Sequence, residues 1–227
     1  MRARDRLPDM GLRPVTPSEG SATLGVTDAH APAKTSRRFP FEVAWVPLKN
    51  ATGRLGLAMA PGRQDRTADA IWKRDLHADL RRLRYVHRID ALVTLVADDE
   101  LEALGLAHLH DEVSVHEFAH ASLPVRDGSV PAPEQEDDVM ALVADVVRRL
   151  SDGETVVLHC RAGQGRSGTF AAIALAALGE RPSVAIERVR EVVPRAVETV
   201  TQEAYVATAA VAWARRRMAQ RGGPRSG

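Results

Sequence analysis

The stretch from His159 to Thr169, which reads His-Cys-Arg-Ala-Gly-Gln-Gly-Arg-Ser-Gly-Thr, constrains this chain more than any other. A short β-branched apolar run precedes it and a long Ala-rich run follows it, which predicts a buried strand, a glycine-rich loop and a helix. Such a loop can turn several backbone N–H groups inward, and the helix N-terminus adds unpaired donors and partial positive charge. The sequence therefore predicts an anion-binding loop here.

Two side chains make the predicted loop reactive. Cys160 stands at its start, and Arg166 follows after five intervening residues. A thiol beside inward N–H groups, a helix N-terminus and a guanidinium is expected to ionise well below the pH of about 8.5 that is usual for a free thiol. Arg166 can hold two phosphate oxygens in a bidentate fork, and the Ser167 hydroxyl can stabilise the thiolate and help it leave. A glycine-rich turn beside an inert buried cysteine is the alternative, although the shared register of these residues favours the reactive loop.

Composition narrows the possible functions. The only cysteine among 227 residues excludes an internal disulfide framework and a Cys-rich zinc site. Basic and acidic residues number 31 and 30, so no nucleic-acid partner is expected. A Walker-type nucleotide loop is excluded because no Gly-Lys-Ser/Thr occurs. The sequence shows neither a secretory signal nor an apolar run of membrane-spanning length, so we expect a cytoplasmic protein without a membrane span.

The chain divides into three parts. Residues 1–38 are rich in Arg, Pro and Ser and are expected to form a disordered or loosely ordered tail, residues 39–218 one domain, and residues 219–227 a flexible C-terminal tail. After a predicted edge hairpin, strands alternate with helices, so the fold class is α/β, a central mostly parallel sheet flanked by helices. Strands are predicted at 41–47, 55–59, 91–96, 118–125 and 155–158. Helices are predicted at 75–89, after 98, at 139–150, after the loop, at 182–193 and after 199.

A candidate proton donor lies in the turn from Val125 to Pro131, which follows a predicted strand. Asp127 in this turn could protonate a leaving oxygen if the turn closes over bound phosphate and excludes water. Taken alone, the stronger interpretation is that Asp127 stabilises an Asp-Gly turn.

The arrangement Cys-x5-Arg-Ser resembles the signature of the cysteine-dependent protein tyrosine and dual-specificity phosphatases. The segment Leu123–Pro131 is similar to the general-acid loop of their kinase-associated phosphatase branch, with further similarity at 55–62, 92–101 and 197–205. The resemblance covers roughly residues 41–212 and implies the tyrosine phosphatase-like fold, without metal or cofactor. It makes Cys160 the nucleophile, Arg166 the phosphate-binding arginine and Asp127 the general acid and base. The remaining phosphate-binding positions are Arg161, Ala162, Gly163, Gln164 and Gly165.

Two further residues have open roles. His159 would hold Cys160 in place through hydrogen bonding, and the alternative is a satisfied core histidine. Gln202 corresponds loosely to a water-positioning glutamine of some tyrosine phosphatases, and its part in hydrolysis stays open.

The predicted function is a phosphoric monoester hydrolase with a phosphocysteine intermediate, acting on phosphotyrosine or on phosphoserine and phosphothreonine proteins. A phosphoinositide or other small phosphoester is the alternative substrate, although Arg161 is the loop's only extra basic residue. A cysteine-centred anion loop also fits a non-catalytic phosphate-binding module, a sulfurtransferase or an arsenate reductase. Non-catalytic phosphate-binding modules commonly lose the Cys, the Arg or the acid. Arsenate reductases usually need additional thiols, and this chain has only one cysteine. No oligomeric state is predicted.

Overall fold

The computed structural model describes residues 32–222. Within this range the strands are β1 (Ala44–Val46), β2 (Arg54–Ala58), β3 (Ala91–Thr94), β4 (Ala119–Ser122) and β5 (Thr155–His159). The α-helices are α1 (Leu76–Arg82), α2 (Asp98–Ala103), α3 (Leu109–Ser114), α4 (Glu136–Ser151), α5 (Gly165–Ala177), α6 (Pro182–Val192) and α7 (Val200–Gly222). A π-helical turn, Leu83–His87, extends α1.

The strands form one sheet in the order β1-β2-β5-β3-β4. Strand β1 pairs antiparallel with β2 at one edge, and the remaining neighbours pair in parallel. All residues of β3 and β5 are buried, which explains why most of their residues are apolar, since parallel strands are covered on both faces. The predicted fold class, a mostly parallel sheet flanked by helices, is confirmed, and so is the hairpin at its edge.

Helix α5 is the most buried helix and continues directly from the reactive loop. Every residue of α5 except Ala176 is buried, and the helix contacts β2, β5 and helices α4, α6 and α7. Its small alanine side chains allow these neighbours to approach closely. The loop is therefore fixed between a central strand and a buried helix, two elements with little freedom to move.

Helix α4 packs the predicted apolar face against this core. Its buried residues include all five positions that the periodicity selected, Val139, Leu142, Val143, Val146 and Leu150. Acidic residues in its first turn and arginines in its last turn complement the helix dipole.

The described domain extends beyond the boundaries that the sequence suggested. In the segment 32–38, the Lys34 N–H donates to the Ile71 carbonyl at 2.8 Å, and the Lys34 ammonium lies 4.9 Å from the Trp72 ring centroid. These contacts leave no periodic pattern in the sequence. Helix α7 also continues past residue 218. Residues 1–31 and 223–227 of the predicted tails lie outside the described residues. No helix between residues 32 and 222 is long and apolar enough to cross a membrane.

Candidate active site

The loop that joins β5 to α5 presents its backbone as an anion cradle. Gly163 has a φ of +76°, and a Cβ there would lie 2.6 Å from the carbonyl carbon of Ala58, so only glycine fits. Within residues 32–222, the backbone N–H groups from Arg161 to Ser167 find no protein acceptor. Unpaired N–H groups at a helix N-terminus bind anions, and phosphate is a typical one.

The Arg166 side chain is buried beneath this loop, with 1% of its surface exposed. Its Nη1 donates to the carbonyls of Leu95 at 3.2 Å and Val125 at 2.8 Å. Glu100 accepts from both terminal nitrogens, at 2.5 Å from Nη1 and 2.9 Å from Nη2. Asp127 Oδ1 accepts from Nη2 at 2.9 Å. The guanidinium thus links the reactive loop to two other segments, one that follows β3 and one that follows β4.

The pairing keeps this buried guanidinium charged. Burial opposes the charge, but the hydrogen bonds to Glu100 and the nearby charges of Cys160, Glu100 and Asp127 outweigh it and raise the pKa of Arg166. A buried charge is tolerated when it is paired in this way. The sequence predicts Glu100 only as part of the short helix after Asp98 and does not predict its role at the site. The pattern that could have indicated this role is its position just beyond the carboxyl end of a parallel strand, where ligand-binding residues often lie.

Cys160 and Ser167 flank the cradle. Cys160 directly follows β5 and is 2% exposed, and Ser167 lies in the first turn of α5. Ser167 Oγ and Arg166 Nε are buried without hydrogen-bond partners in the described part of the chain. Buried polar atoms of this kind require a partner, and an oxyanion on the loop would satisfy both.

His159, the residue before the cysteine, is fully buried, and its Nε2 lies 2.7 Å from Thr94 Oγ1. Burial lowers the pKa of His159 to about 3, so the imidazole is neutral at physiological pH. The sequence predicts a hydrogen-bonding role for His159 but not its partner Thr94, which lies 65 residues away in the chain.

The Arg161 side chain is held at the rim of the loop by an acidic residue. Its Nη2 lies 2.8 Å from Asp65 Oδ2, and the same carboxylate accepts from Arg63 at 2.7 Å. Burial would raise the pKa of Asp65, but the two arginines outweigh it and lower that pKa. Among the predicted phosphate-binding residues, Arg161 therefore offers its backbone N–H while Asp65 binds its guanidinium. Ala162 is exposed and Gln164 is half-buried.

The loop that carries Asp127 is anchored from the start of α7. Asp127 is 57% exposed, although its carboxylate contacts Arg166. Gln202 is fully buried, and its Nε2 donates to the Ser129 carbonyl at 3.2 Å while its Oε1 accepts from the Glu198 N–H at 2.9 Å. A Cβ on Gly165 would lie 3.1 Å from Gln202 Nε2, so Gln202 borders the reactive loop as well.

The structure thus brings Cys160, Arg166, Ser167 and Asp127 together around one cradle, with His159 directly behind it. Among residues 32–222, no group of three or more His, Cys, Asp or Glu side chains is arranged to hold a metal ion.

Comparison with known proteins identifies similar sequences. A family model described as the Swiss Army Knife protein, DSP-PTPase phosphatase domain, matches residues 71–220. The probable protein tyrosine phosphatase type IVA A of Dictyostelium discoideum is 27% identical over 113 residues, which are 50% of this chain. The match spans 60% of the length of that curated relative.

Solved structures show the same fold. Kinase-associated phosphatase, in a form with its catalytic-site cysteine changed to serine, has a TM-score of 0.68 at 23% identity, covering 77% of this chain and 97% of that one. Tk-PTP in its active form has a TM-score of 0.53 at 26% identity, covering 73% and 94%. PTPMT1 in complex with PI(5)P has a TM-score of 0.58 at 17% identity, covering 77% and 99%.

Proposed function

Because this chain belongs to the Swiss Army Knife family of DSP-PTPase phosphatase domains, we propose that it hydrolyses phosphate monoesters through a cysteinyl-phosphate intermediate. It acts as a cysteine-dependent tyrosine or dual-specificity phosphatase. The observation that carries this proposal is the single cluster of Cys160, the paired Arg166 and the half-exposed carboxylate of Asp127. A module that only binds phosphate has no use for a nucleophile and a proton donor at the same site.

Substrate binding changes the partner of Asp127. The phosphate group occupies the loop N–H groups and the Arg166 guanidinium, so it competes with Asp127 for that cation. The displaced carboxyl then lies beside the phosphate ester, within reach of the leaving oxygen. A protonated carboxyl beside the leaving oxygen is what a general acid requires.

The first chemical step forms a sulfur–phosphorus bond. The Cys160 thiolate attacks phosphorus, the bond from phosphorus to the ester oxygen breaks, and Asp127 gives its proton to that oxygen. The loop N–H groups and Arg166 stabilise the charge on the transferring group. The Ser167 hydroxyl, which has no other partner among the described residues, can donate to the departing thiolate in the second step.

The second step releases phosphate. A water molecule attacks phosphorus, Asp127 accepts its proton, and the sulfur–phosphorus bond breaks to restore the Cys160 thiolate. No external oxidant or reductant takes part, and the net reaction adds one water to the ester.

Phosphorylated proteins are the substrate class that we propose first. A substrate with several phosphates needs extra free cations around the loop, but the Arg161 guanidinium is already paired with Asp65. This pairing favours a single phosphate on a protein side chain over a phosphoinositide. We propose a cytoplasmic location for this activity, because a reducing compartment keeps the Cys160 thiol available as the nucleophile.

A substrate panel tests the proposal. The protein is assayed with phosphotyrosine, phosphothreonine and phosphoserine peptides, a phosphoinositide and a small aryl phosphate, with Cys160→Ser as the matched control. We expect turnover of the phosphopeptides and the aryl phosphate, and its loss in Cys160→Ser, because the serine hydroxyl stays protonated near neutral pH. Equal turnover by Cys160→Ser would contradict the mechanism, and exclusive turnover of the phosphoinositide would contradict the substrate class.

A further inference from the structure

Three polar side chains form a line behind the reactive loop, on one face of the sheet. Thr94 of β3 pairs in register with His159 of β5 and with Ser122 of β4, and His120 lies two residues before Ser122. Side chains alternate along a strand, so Thr94, His159 and His120 project to the same face. Thr94 Oγ1 lies 2.7 Å from His159 Nε2 and 3.0 Å from His120 Nε2.

The threonine hydroxyl joins the two imidazoles because it lies within hydrogen-bonding distance of a nitrogen of each ring. Its single hydrogen can be donated to one ring only, so at least one of the two rings donates an Nε2–H to its oxygen.

Thr94 is the only residue in the described part of the chain that makes a hydrogen bond to the His159 ring. Its hydroxyl lies at hydrogen-bonding distance from Nε2, and His159 Nδ1 is buried without a hydrogen-bond partner there. The orientation of this buried ring, which directly precedes Cys160 in the chain, therefore depends on the Thr94 hydroxyl.

Both rings stay neutral over the range in which such an enzyme works. Burial lowers the pKa of His159 to about 3, and burial together with the charge of His110 lowers the pKa of His120 to about 4. The titratable and charged groups that act on these rings are His110 of α3, 5.2 Å from His120 between ring centroids, and Arg166 of α5. The hydroxyl therefore lies between two neutral rings throughout this range.

We propose that Thr94 and His120 are positioning residues, which hold the His159 ring in one orientation and thereby fix the backbone of Cys160 in the reactive loop. We define the three side chains Thr94, His120 and His159 as the histidine relay. A hydrophobic side chain at position 94 would fill the same space in a buried parallel strand, so packing alone does not require a hydroxyl there. The inference rests on the proposed function because it assigns a role beside the proposed nucleophile.

The single cysteine provides a direct test that does not depend on phosphatase turnover. The rate of Cys160 alkylation by iodoacetamide is measured against pH, because the thiolate is the reactive form. Thr94→Val removes the hydroxyl and keeps the shape of the side chain. In this variant we expect the midpoint of the alkylation profile to rise by about one pH unit. At a pH below the midpoints of both proteins, the variant would then react about tenfold more slowly than the wild type. The acidic limb of kcat/KM should move by the same amount.

Two controls separate positioning from packing. Thr94→Ser keeps the hydroxyl and should restore the wild-type midpoint. Thr155→Val makes the same change in β5, where the threonine side chain makes no hydrogen bond within the described chain, and should leave the midpoint unchanged. A lower melting temperature in Thr94→Val with an unchanged midpoint would show a merely structural threonine and overturn the inference. Equal shifts in Thr94→Val and Thr155→Val would do so too.

His120→Phe supplies a second variant in case Thr94→Val does not fold. It removes both nitrogens of the His120 ring and keeps an aromatic ring. The midpoint of the alkylation profile should also rise, by a smaller amount than in Thr94→Val. An unchanged midpoint in folded His120→Phe would exclude His120 from the relay. A shifted midpoint in a protein that hydrolyses no phosphate ester would support the relay and reject the proposed function instead.

Discussion

Arg166 holds three distant segments together at one buried guanidinium. Its partners Leu95 and Glu100 follow β3, and Val125 and Asp127 follow β4. Since the charge is almost completely removed from water, each of these acceptors stabilises the cation and orients its fork toward the loop.

Glu100 accepts from both terminal nitrogens of Arg166, so its replacement tests how far the orientation of the guanidinium depends on this pair. Glu100→Gln keeps the shape but replaces a bidentate carboxylate with a neutral amide. We expect the free energy of unfolding to fall by about 1–3 kcal/mol, because a buried charge loses a charged partner. We also expect kcat/KM to fall roughly 10²-fold through misplacement of the guanidinium. Glu102→Gln on the exposed side of α2 is the matched control, and equal effects of both changes would contradict the role of Glu100.

The role of Asp127 as the acid is tested by how strongly the loss of kcat in its variant depends on the leaving group. Asp127→Asn should reduce kcat by roughly 10²–10⁴-fold for an alkyl phosphate, because the leaving oxygen needs a proton. The reduction should be visibly smaller for an aryl phosphate whose phenol leaves as an anion. Asp138→Asn, at an exposed position in the first turn of α4, serves as the control. If Asp127→Asn leaves alkyl phosphate turnover unchanged, another residue is the acid.

Among the elements, the start of α7 controls the loop that carries Asp127. Thr199 caps the helix by accepting from the Gln202 N–H at 3.1 Å, and the Gln202 amide links Glu198 to Ser129. This network places a fully buried polar side chain between two catalytic loops.

Replacing this amide should loosen the acid loop. Gln202→Leu leaves the Ser129 carbonyl without its donor, so the loop should carry its proton donor less accurately. We expect kcat to fall more for poor leaving groups than for good ones, with a small change in KM, measured on a series of aryl phosphates. Thr201→Leu, at an exposed neighbouring position, is the control. Equal losses across the series would show that Gln202 acts on another step.

The sequence predicts the elements whose patterns are local. The β-branched run of β5, the glycines of the loop and the apolar face of α4 each predict their structure from neighbouring residues. The sequence does not predict helix α3, because its six residues bury only Leu109 and Val113, too few for a periodic signal. The roles of Glu100 and Thr94 depend on contacts with residues 66 and 65 positions away, which no local pattern encodes.

For the protein as a whole, His120 and His159 predict a loss of stability in acid. In the unfolded chain an imidazole takes up a proton near pH 6.5, whereas in the folded protein the pKa of His120 is about 4 and that of His159 about 3. The unfolded state therefore binds more protons between these values, and stability falls as the pH falls through this window. The melting temperature should drop between about pH 7 and 5, above the range where most carboxylates titrate.

A variant identifies the source of this drop. His120→Phe should flatten the dependence of the melting temperature on pH, and His108→Phe, at an exposed position, should leave it unchanged. A wild-type melting temperature that stays constant over this range would contradict the assignment of the His120 and His159 rings as neutral.

The backbone N–H of Arg161 finds no acceptor among the described residues and lies next to the only cysteine sulfur in all 227 residues. Under peroxide, a thiolate at Cys160 would be oxidised to a sulfenic acid, and no second thiol exists to close an intramolecular disulfide. Condensation of that acid with the neighbouring amide, with loss of water, would give a cyclic sulfenamide that external thiols can reopen. The bare amides that suit the loop to phosphate would then also shield its sulfur from irreversible oxidation.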